Sequence, residues 1–372
     1  MAIFLDEDRA ALRDGLDRLL ADHGGEAAVR TAMESSAGYD PDLWRRLAEM
    51  GIVGLIVDEA HGGSGAGPVE LETVMESAGA ALLCGPFLAS GVVAAALLAA
   101  LGDDDAAARH LPGMAAGTTI ATVALTGDQG LWTPEAVGVR ASRAGDGWAL
   151  DGVASYVLHG QNADVIFVVA TGPDGLAAFE VDPRAAGLDV KALPTFDHTL
   201  RLARMTFAAT PARRLAATVP VWDAVRRAMD LALVALAGEQ AGGARRVLDS
   251  TTDYARTRVQ FGRAIGSFQA IKHMAADLLL ETESATSAAR HAAARLAQNA
   301  SDAAAAISLA AFACADAFTA VTAASIQMHG GIAFTWVHPA HLYLRRARAD
   351  AQMFGTPSVH RERYLQALGA LS

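Results

Sequence analysis

The stretch YARTRVQFGRAIGSFQAIKHMAADL, residues 254–278, decides how the rest of the sequence is interpreted. Its helical pattern breaks at Phe261 and Gly262 and again at Gly266, because glycine ends a helix without strain. Three arginines surround these breaks: Arg256, Arg258 and Arg263. Guanidinium groups so arranged suit a diphosphate, although a helix–turn–helix corner with solvated arginines gives the same pattern. The residues alone leave both interpretations open.

A second interruption is QMHGGIAFTW, residues 327–336, which ends a long alanine-rich helical pattern. The paired glycines Gly330 and Gly331 have no Cβ, so the backbone can end a helix here and come close to a ligand. The Gln327 side chain both donates and accepts hydrogen bonds. This segment is therefore a candidate ligand contact.

Composition places the chain of 372 residues among globular proteins, with 52% hydrophobic and 19% charged residues. The net charge of −11 argues against a nucleic-acid surface, while a local basic cluster can still bind a phosphate-bearing ligand. Cys84 and Cys314 lie in apolar surroundings, which predicts buried thiols rather than a disulfide or a metal site. No metal site is predicted.

Neither the start of the sequence nor the apolar run near residue 100 predicts contact with a membrane. The start, MAIFLDEDRAALRDGLDRLL at residues 1–20, is charged and amphipathic, unlike a secretory signal. The apolar run GVVAAALLAALG, residues 91–102, is too short to span a bilayer. The sequence therefore predicts a cytoplasmic protein.

Hydrophobic periodicity divides the chain into three regions. Residues 1–117 and 219–372 show the spacing of amphipathic helices, whereas residues 118–218 contain short β-rich runs separated by Gly, Asp and Pro. We therefore predict an α+β protein with an N-terminal helical domain, a middle antiparallel β domain and a C-terminal helical domain.

The segment YARTRVQFGRAIGSFQAIKH, together with QMHGGIAFTW and with HLYLRRA at residues 341–347, resembles the acyl-CoA dehydrogenase family. The loop HGGSGAG at residues 61–67 is similar to the N-terminal loop of that family. The order helical, β, helical matches over the whole chain. The resemblance implies FAD as cofactor, an acyl-CoA thioester as substrate and a C-terminal four-helix bundle. It also implies that the bundle of one subunit covers the flavin of its neighbour.

The resemblance further implies which residues contact FAD. Arg258 would reach the diphosphate across the subunit interface, and Phe261 would pack near the adenosine part. The other expected cofactor-binding residues are Gln269, Gln327, Gly330, Gly331, Tyr156 and Leu158.

The sequence departs from the family where the chemistry takes place. Dehydrogenation between Cα and Cβ needs a base for the α-proton and flavin N5 as acceptor of the β-hydride. In ADAQMFGT, residues 349–356, Phe354 stands where the family has its usual glutamate, and the second known position of the base corresponds to Ala232. Phe354 keeps only its backbone N–H to polarise the thioester carbonyl. Tyr156 and Leu158 replace a tryptophan and a flavin-facing threonine.

Two acidic residues are candidate bases. Glu239, in LAGEQAGGARR at residues 236–246, has small and apolar neighbours at helical spacing and no local ion-pair partner. It lies about 10 Å along the helix from Ala232, and a salt bridge to an arginine of another helix explains it equally well. Asp350, four residues before Phe354, is the weaker candidate.

Three functions are consistent with this pattern. The first is a complete acyl-CoA dehydrogenase that acts on a bulky or branched acyl-CoA with Glu239 as base. The second is a catalytically incomplete subunit that supports FAD binding in a homologous chain, as in the heterotetramers of actinobacterial steroid or fatty acid breakdown. The third is a relative that oxidises another substrate, or a flavin monooxygenase. The expected partners are an electron-transfer flavoprotein-like acceptor and either copies of this chain, as a dimer or tetramer, or a homologue.

Overall fold

The computed structural model of the protein describes residues 6–370. Helices form the N-terminal part of this range: α1 Asp6–His23, α2 Glu26–Glu34, α3 Pro41–Glu49, α4 Pro68–Ala80, α5 Ala95–Leu101 and α6 Asp104–Ala115. A π-helical segment, Phe87–Ala94, leads into α5. Asp40 and Asp103 cap α3 and α6, because each carboxylate accepts a backbone N–H of the first turn that has no partner within the helix.

The middle of the chain forms one sheet that closes on itself. Its strands are β1 Ala121–Ala124, β2 Val139–Ala144, β3 Gly147–Leu158, β4 Val165–Gly172, β5 Gly175–Val181, β6 Leu188–Ala192 and β7 Leu202–Arg214. The order is β1-β4-β2-β3-β7-β5, with β6 on β7, and β5 pairs with β4 as well as with β7. Most pairings are antiparallel, as predicted, but β1 and β2 both run parallel to β4, which lies between them.

Helices return after the sheet. They are α7 Val221–Thr257, α8 Gln269–Ala297, α9 Ala303–His329, α10 Ala340–Asp350 and α11 Pro357–Ala367, with a short hairpin of β8 Val259–Gln260 and β9 Arg263–Ala264 between α7 and α8. The predicted α+β class and the order helical, β-rich, helical are confirmed. The proposed domain boundaries, after residues 117 and 218, fall in the connections between these elements.

Helix α9 is the apolar centre of the C-terminal bundle. By length and composition the segment Ala303–Phe334 is apolar enough to cross a membrane, but 61% of its most apolar window is buried inside the protein. Phe318 and Val321 on this helix are each 1% exposed. The apolar composition of α9 is therefore that of a core helix packed against α7 and α8.

Helices α4 and α7 approach each other at backbone contact. A Cβ added at Gly79 would lie 1.9 Å from the carbonyl oxygen of Glu239, and one added at Gly242 would lie 1.9 Å from that of Glu76. No side chain larger than hydrogen fits at either position. These glycines therefore fix how the N-terminal helices dock on the bundle.

Two glutamates of α4 lie at the same junction, Glu72 buried and Glu76 half-buried. Glu76 is paired with Arg13 of α1 at 2.9 Å and with Arg290 of α8 at 2.9 Å. Glu72 is 2% exposed, and burial together with the neighbouring Glu76 raises its pKa to about 9. One carboxyl of the pair therefore holds a proton at neutral pH while the other accepts the arginines.

Candidate functional site

A cavity of about 1080 Å³ opens between the sheet and the C-terminal helices. Its wall comes from the loop after β1, the end of β3, the loop before β7, the start of α7, the end of α10 and the start of α11. The aromatic side chains in this wall are Trp132, Tyr156, Phe196, Trp222 and Phe354. Ligand pockets commonly measure about 300–1,000 Å³, so this large cavity can hold a cofactor-sized molecule.

Tyr156 and Leu158, predicted to contact the cofactor, both lie in the wall of the large cavity. Leu158 is buried and, being aliphatic, offers no hydrogen bond. Tyr156 has a φ of 59°, which is uncommon outside glycine, and its hydroxyl donates to the backbone oxygen of Asp128 at 3.3 Å. Arg204 binds both carboxylate oxygens of Asp128 at 2.9 Å. These contacts hold the loop that carries Trp132 against the sheet.

Phe354 closes one side of the large cavity. It is 3% exposed, its φ is 57°, and its ring lies 4.9 Å from that of Trp132. Behind this pair is an apolar cavity of only about 30 Å³, whose wall includes Val93, Leu97 and Met229. The two rings therefore stand between the large cavity and the apolar cavity. The Phe354 N–H donates to no acceptor within residues 6–370.

Glu239, the first candidate base, is held in a buried ion pair. Its carboxylate accepts from Arg346 of α10, and the same guanidinium donates to Asp197 at 2.9 Å and to the hydroxyl of Thr199. Glu239 is 5% exposed, and it is absent from the described residues that line the large cavity. The geometry matches the alternative in which an arginine of another helix explains this glutamate.

Asp350, the second candidate, lies one helical turn after Arg346 and is 1% exposed. Burial, reinforced by the nearby Glu239 carboxylate, raises the pKa of Asp350 well above its usual range. A carboxyl group that holds its proton cannot accept another from a substrate. Asp350 is also absent from the described wall of the large cavity.

The two glycine-containing segments meet at one end of the bundle. The ring of Tyr254, one turn before Arg258, stacks on His329 at 4.4 Å, and the Tyr254 hydroxyl donates to the backbone oxygen of His329 at 3.5 Å. His329 is followed directly by Gly330, which ends α9 with a φ of 67°. We call the surface formed by residues 254–269 and 327–337 the corner.

Most predicted cofactor-binding residues of the corner face solvent. Phe261 is 91% exposed, and Arg258, Gln269, Gln327 and Gly331 are exposed too. Other apolar side chains share this surface: Val259, Ile332, Phe334, Trp336 and Val337. A Cβ added at Gly330 or Gly331 would meet nothing within 4 Å. An apolar surface with open glycines and an unpaired arginine fits contact with a flavin dinucleotide and a partner subunit.

The corner lies far from the large cavity of its own chain. Met229 lines the cavity near the start of α7, and Arg258 follows the end of the same helix. At about 1.5 Å per residue the two positions are about 44 Å apart along the helix. A ligand in the cavity would have to be about as long as this distance to reach Arg258, so the corner is not part of the wall of that cavity.

The contacts that three residues of the site make are not evident from the sequence. The ring of Trp132, in the middle region, packs on that of Phe354 in the C-terminal helical part. Arg346, in HLYLRRA, pairs with Glu239 of α7 and with Asp197 of the loop before β7. Phe354 and the segment HLYLRRA stand out in the sequence, but the residues that they contact do not. No spacing rule links residues more than a hundred positions apart.

Family models match both helical parts of the chain. The acyl-CoA dehydrogenase N-terminal domain matches residues 6–118 and the C-terminal domain matches residues 222–369. The chain is 35% identical to acyl-CoA dehydrogenase IpdE2 of Mycobacterium tuberculosis, over 94% of each chain. It is 34% identical to acyl-CoA dehydrogenase FadE34 of the same organism, over 95% of this chain but 47% of the relative.

Two solved structures superpose on the chain over nearly its full length. The steroid ACAD variant Tcur3481-Tcur3483 gives a TM-score of 0.88 at 30% identity, with 99% of each chain covered. The ChsE4-ChsE5 complex of Mycobacterium tuberculosis gives 0.90 at 28% identity, with 100% of each chain covered. These matches bear out FAD, the cofactor that the resemblance implied, and the chain belongs to the acyl-CoA dehydrogenase family of oxidoreductases.

Proposed function

We propose that the chain is a subunit of a heteromeric acyl-CoA dehydrogenase in which a homologous chain supplies the catalytic base. The observation that carries this proposal is Phe354, which occupies the base position and packs its ring on Trp132. In this assembly the corner binds FAD held mainly by the partner chain. We place the assembly in the cytoplasm, as the sequence predicts.

The wall of the large cavity offers no suitable base among the described residues. Its acidic members are Asp197 and Glu362. Asp197 is 1% exposed and bound by Arg346, and Glu362 is exposed on α11, where water competes for its carboxylate. A base for the α-proton has to be free and within hydrogen-bond reach of the reacting carbon, and neither side chain meets both conditions.

The space behind Trp132 and Phe354 is also too small for an acyl chain. The apolar cavity behind Trp132 and Phe354 measures about 30 Å³, which is room for roughly two or three water molecules at about 10–15 Å³ each. An acyl tail needs several times this space. Trp132 and Phe354 would have to move apart before a thioester could extend past them.

The corner, in contrast, carries residues that the resemblance assigns to the cofactor. When bound, FAD supplies the acceptor for the hydride that leaves Cβ. Arg258 provides a guanidinium for its diphosphate, Gln327 both donates and accepts, and Gly330 and Gly331 let the backbone approach. The ring of Phe261 gives an exposed aromatic surface that loses its contact with water on assembly.

The relatives support an assembly of unlike chains. ChsE4-ChsE5 and Tcur3481-Tcur3483 are each named as two proteins, and the latter as a steroid ACAD. FadE34 is about twice as long as the region that this chain matches. We therefore propose a bulky, steroid-derived acyl-CoA as substrate of the assembly, and an electron-transfer flavoprotein-like protein as its acceptor.

The test compares the chain purified alone with the chain co-expressed with a homologue. Alone, it should show no flavin turnover with acyl-CoA; with the partner, turnover should appear and should require the glutamate of the partner. Glu239→Gln in this chain should leave that turnover intact. Arg258→Ala should release FAD, whereas the matched control Arg256→Ala, whose side chain pairs with Asp253, should retain it. Bleaching of flavin by the chain alone, abolished by Glu239→Gln, would overturn the proposal and identify a complete enzyme.

A further inference from the structure

A third, small cavity lies directly behind the turn that carries Phe354. Its wall comes from α7, α9, the end of α10 and the start of α11, and its volume is about 10 Å³. Met353 and Gly355 belong to its wall and to the wall of the large cavity. The backbone on either side of Phe354 is therefore shared between the two spaces.

Three polar side chains line this space, which we call the polar cavity: Gln240, Asp350 and His360. They are 1%, 1% and 2% exposed. Within residues 6–370, no partner is found for either carboxyl oxygen of Asp350 or for Oε1 of Gln240, and the ring nitrogens of His360 make no well-formed hydrogen bond, although the Gly355 backbone lies beside the ring. Buried polar atoms without partners are rare in folded proteins. Three side chains that lack partners around one space point to a single occupant that bonds to all of them.

The size and the chemistry of the polar cavity fit one water molecule. A single water needs about 10–15 Å³ and two to four polar partners. It can donate to Oε1 of Gln240 and to a second acceptor on Asp350 or His360. It can accept from the imidazole N–H and from the carboxyl O–H of Asp350, which is neutral because burial raises its pKa. One water molecule can therefore make a hydrogen bond to each of the three side chains.

We infer that the polar cavity binds one internal water molecule, which bridges Asp350, Gln240 and His360 and ties α10, α7 and α11 together behind Phe354. The inference rests on the cavity and its polar atoms alone, so it holds whether or not the chain is a supporting subunit. It gives Asp350 a role in positioning the turn, through the water, in place of a role as base.

The most direct test is a diffraction structure of the full-length protein in its native assembly, at a resolution that shows ordered water. We expect one isolated density peak about 2.7–3.2 Å from an Asp350 oxygen, Gln240 Oε1 and a His360 nitrogen. An empty cavity with Asp350 and His360 turned to bond to each other would overturn the inference. So would a peak with contacts of about 2.0–2.6 Å to its oxygen ligands, which are those of a hard metal ion.

The direction in which the melting temperature of a Gln240 variant changes gives an independent test. Gln240→Met keeps the length of the side chain but removes the acceptor. If water bridges the three residues, the melting temperature should fall by about 2–4 °C, the shift for a loss of roughly one hydrogen bond in a large domain. If the cavity is dry, the variant removes an unpaired buried oxygen, so an unchanged or raised melting temperature would overturn the inference. Gln298→Met, at an exposed position, is the matched control and should not shift it.

Discussion

The corner and the Phe354 turn are two regions of the molecule that differ in how much of their surface is exposed. At the corner, Phe261 is 91% exposed and Gly331 has space around it on all sides. At the turn, Phe354 is 3% exposed and packed on Trp132. In the proposed assembly, the corner has to stay open in the single chain because its ligand is held by another subunit. The Phe354 turn, which would hold no substrate there, can close by aromatic packing.

The charged groups show the same contrast. Arg258 at the corner is exposed and available to a diphosphate, whereas Arg346 is 2% exposed and surrounded by Glu239, Asp197 and Thr199. We propose that the first arginine contributes to binding FAD, whereas the second holds α7, α10 and the loop before β7 together. Substitutions at the two kinds of position should therefore separate assembly from stability.

The largest effect is expected at Arg346. Arg346→Met leaves the buried carboxylates of Glu239 and Asp197 without their cation, which should lower the free energy of unfolding by about 3–5 kcal/mol. Urea unfolding of the purified variant measures the change. Arg348→Met, at an exposed position of the same helix, is the control and should stay within about 0.5 kcal/mol of the parent. An equally small loss for Arg346→Met would mean that the ion pair does not hold Glu239, and would return it to consideration as a base.

A pair of glycine substitutions compares the interior with the corner directly. Gly242→Ala places a Cβ against the Glu76 backbone, so it should lower the free energy of unfolding by about 1–3 kcal/mol through overpacking. Gly331→Ala meets no atom in the chain and should change it by less than about 0.5 kcal/mol. Chemical unfolding of both variants gives the comparison. Equal losses would contradict the view that the corner is open in the single chain.

The buried Glu72 should make stability depend on pH. Its pKa is about 9 in the folded protein, against 4.5 when exposed, so the folded state binds more protons than the unfolded state between these values. The stability that this proton contributes is complete below about pH 4.5 and is lost as pH rises through about 9.

The slope can reach about 1.4 kcal/mol per pH unit for one group. We therefore expect the stability of the parent to fall by up to about 2.7 kcal/mol more than that of Glu72→Gln between pH 6 and pH 8, two pH units at nearly the full slope. Unfolding in urea at both pH values measures this difference. Glu34→Gln, an exposed helical glutamate, should follow the parent. If the stability of Glu72→Gln also follows that of the parent, Glu72 does not hold a proton in the folded protein at neutral pH.

The smallest effect on stability is expected at Phe261, together with a clear effect on assembly. Phe261→Asn removes an exposed ring and places a residue that tolerates the positive φ of this position, 52°. The free energy of unfolding of the single chain should stay within about 0.5 kcal/mol of the parent. Sedimentation velocity of the co-purified complex should show a weaker assembly. An intact, FAD-loaded assembly would remove Phe261 from the interface.

Local patterns were sufficient for the fold and for the corner. The change from helical to alternating periodicity located the sheet between two helical parts, and the breaks at Gly262 and Gly330 marked the two segments that meet beside Tyr254. Each of these signals lies within a few residues, where backbone geometry and side-chain spacing act. The parallel pairing of β4 with β1 and β2 was missed, because strand direction depends on connections rather than on composition.

The sequence by itself determined the family, the three-part order, the cofactor and the absence of a glutamate at residue 354. Only the tertiary structure decided between the two explanations of Glu239, because the guanidinium that binds it comes from a residue more than a hundred positions away. It also decided that Trp132 meets Phe354, and that the corner lies far from the cavity of its own chain. Burial and long-range contacts determine the charge of a side chain and the residues it can contact. The residues next to it in sequence do not show either property.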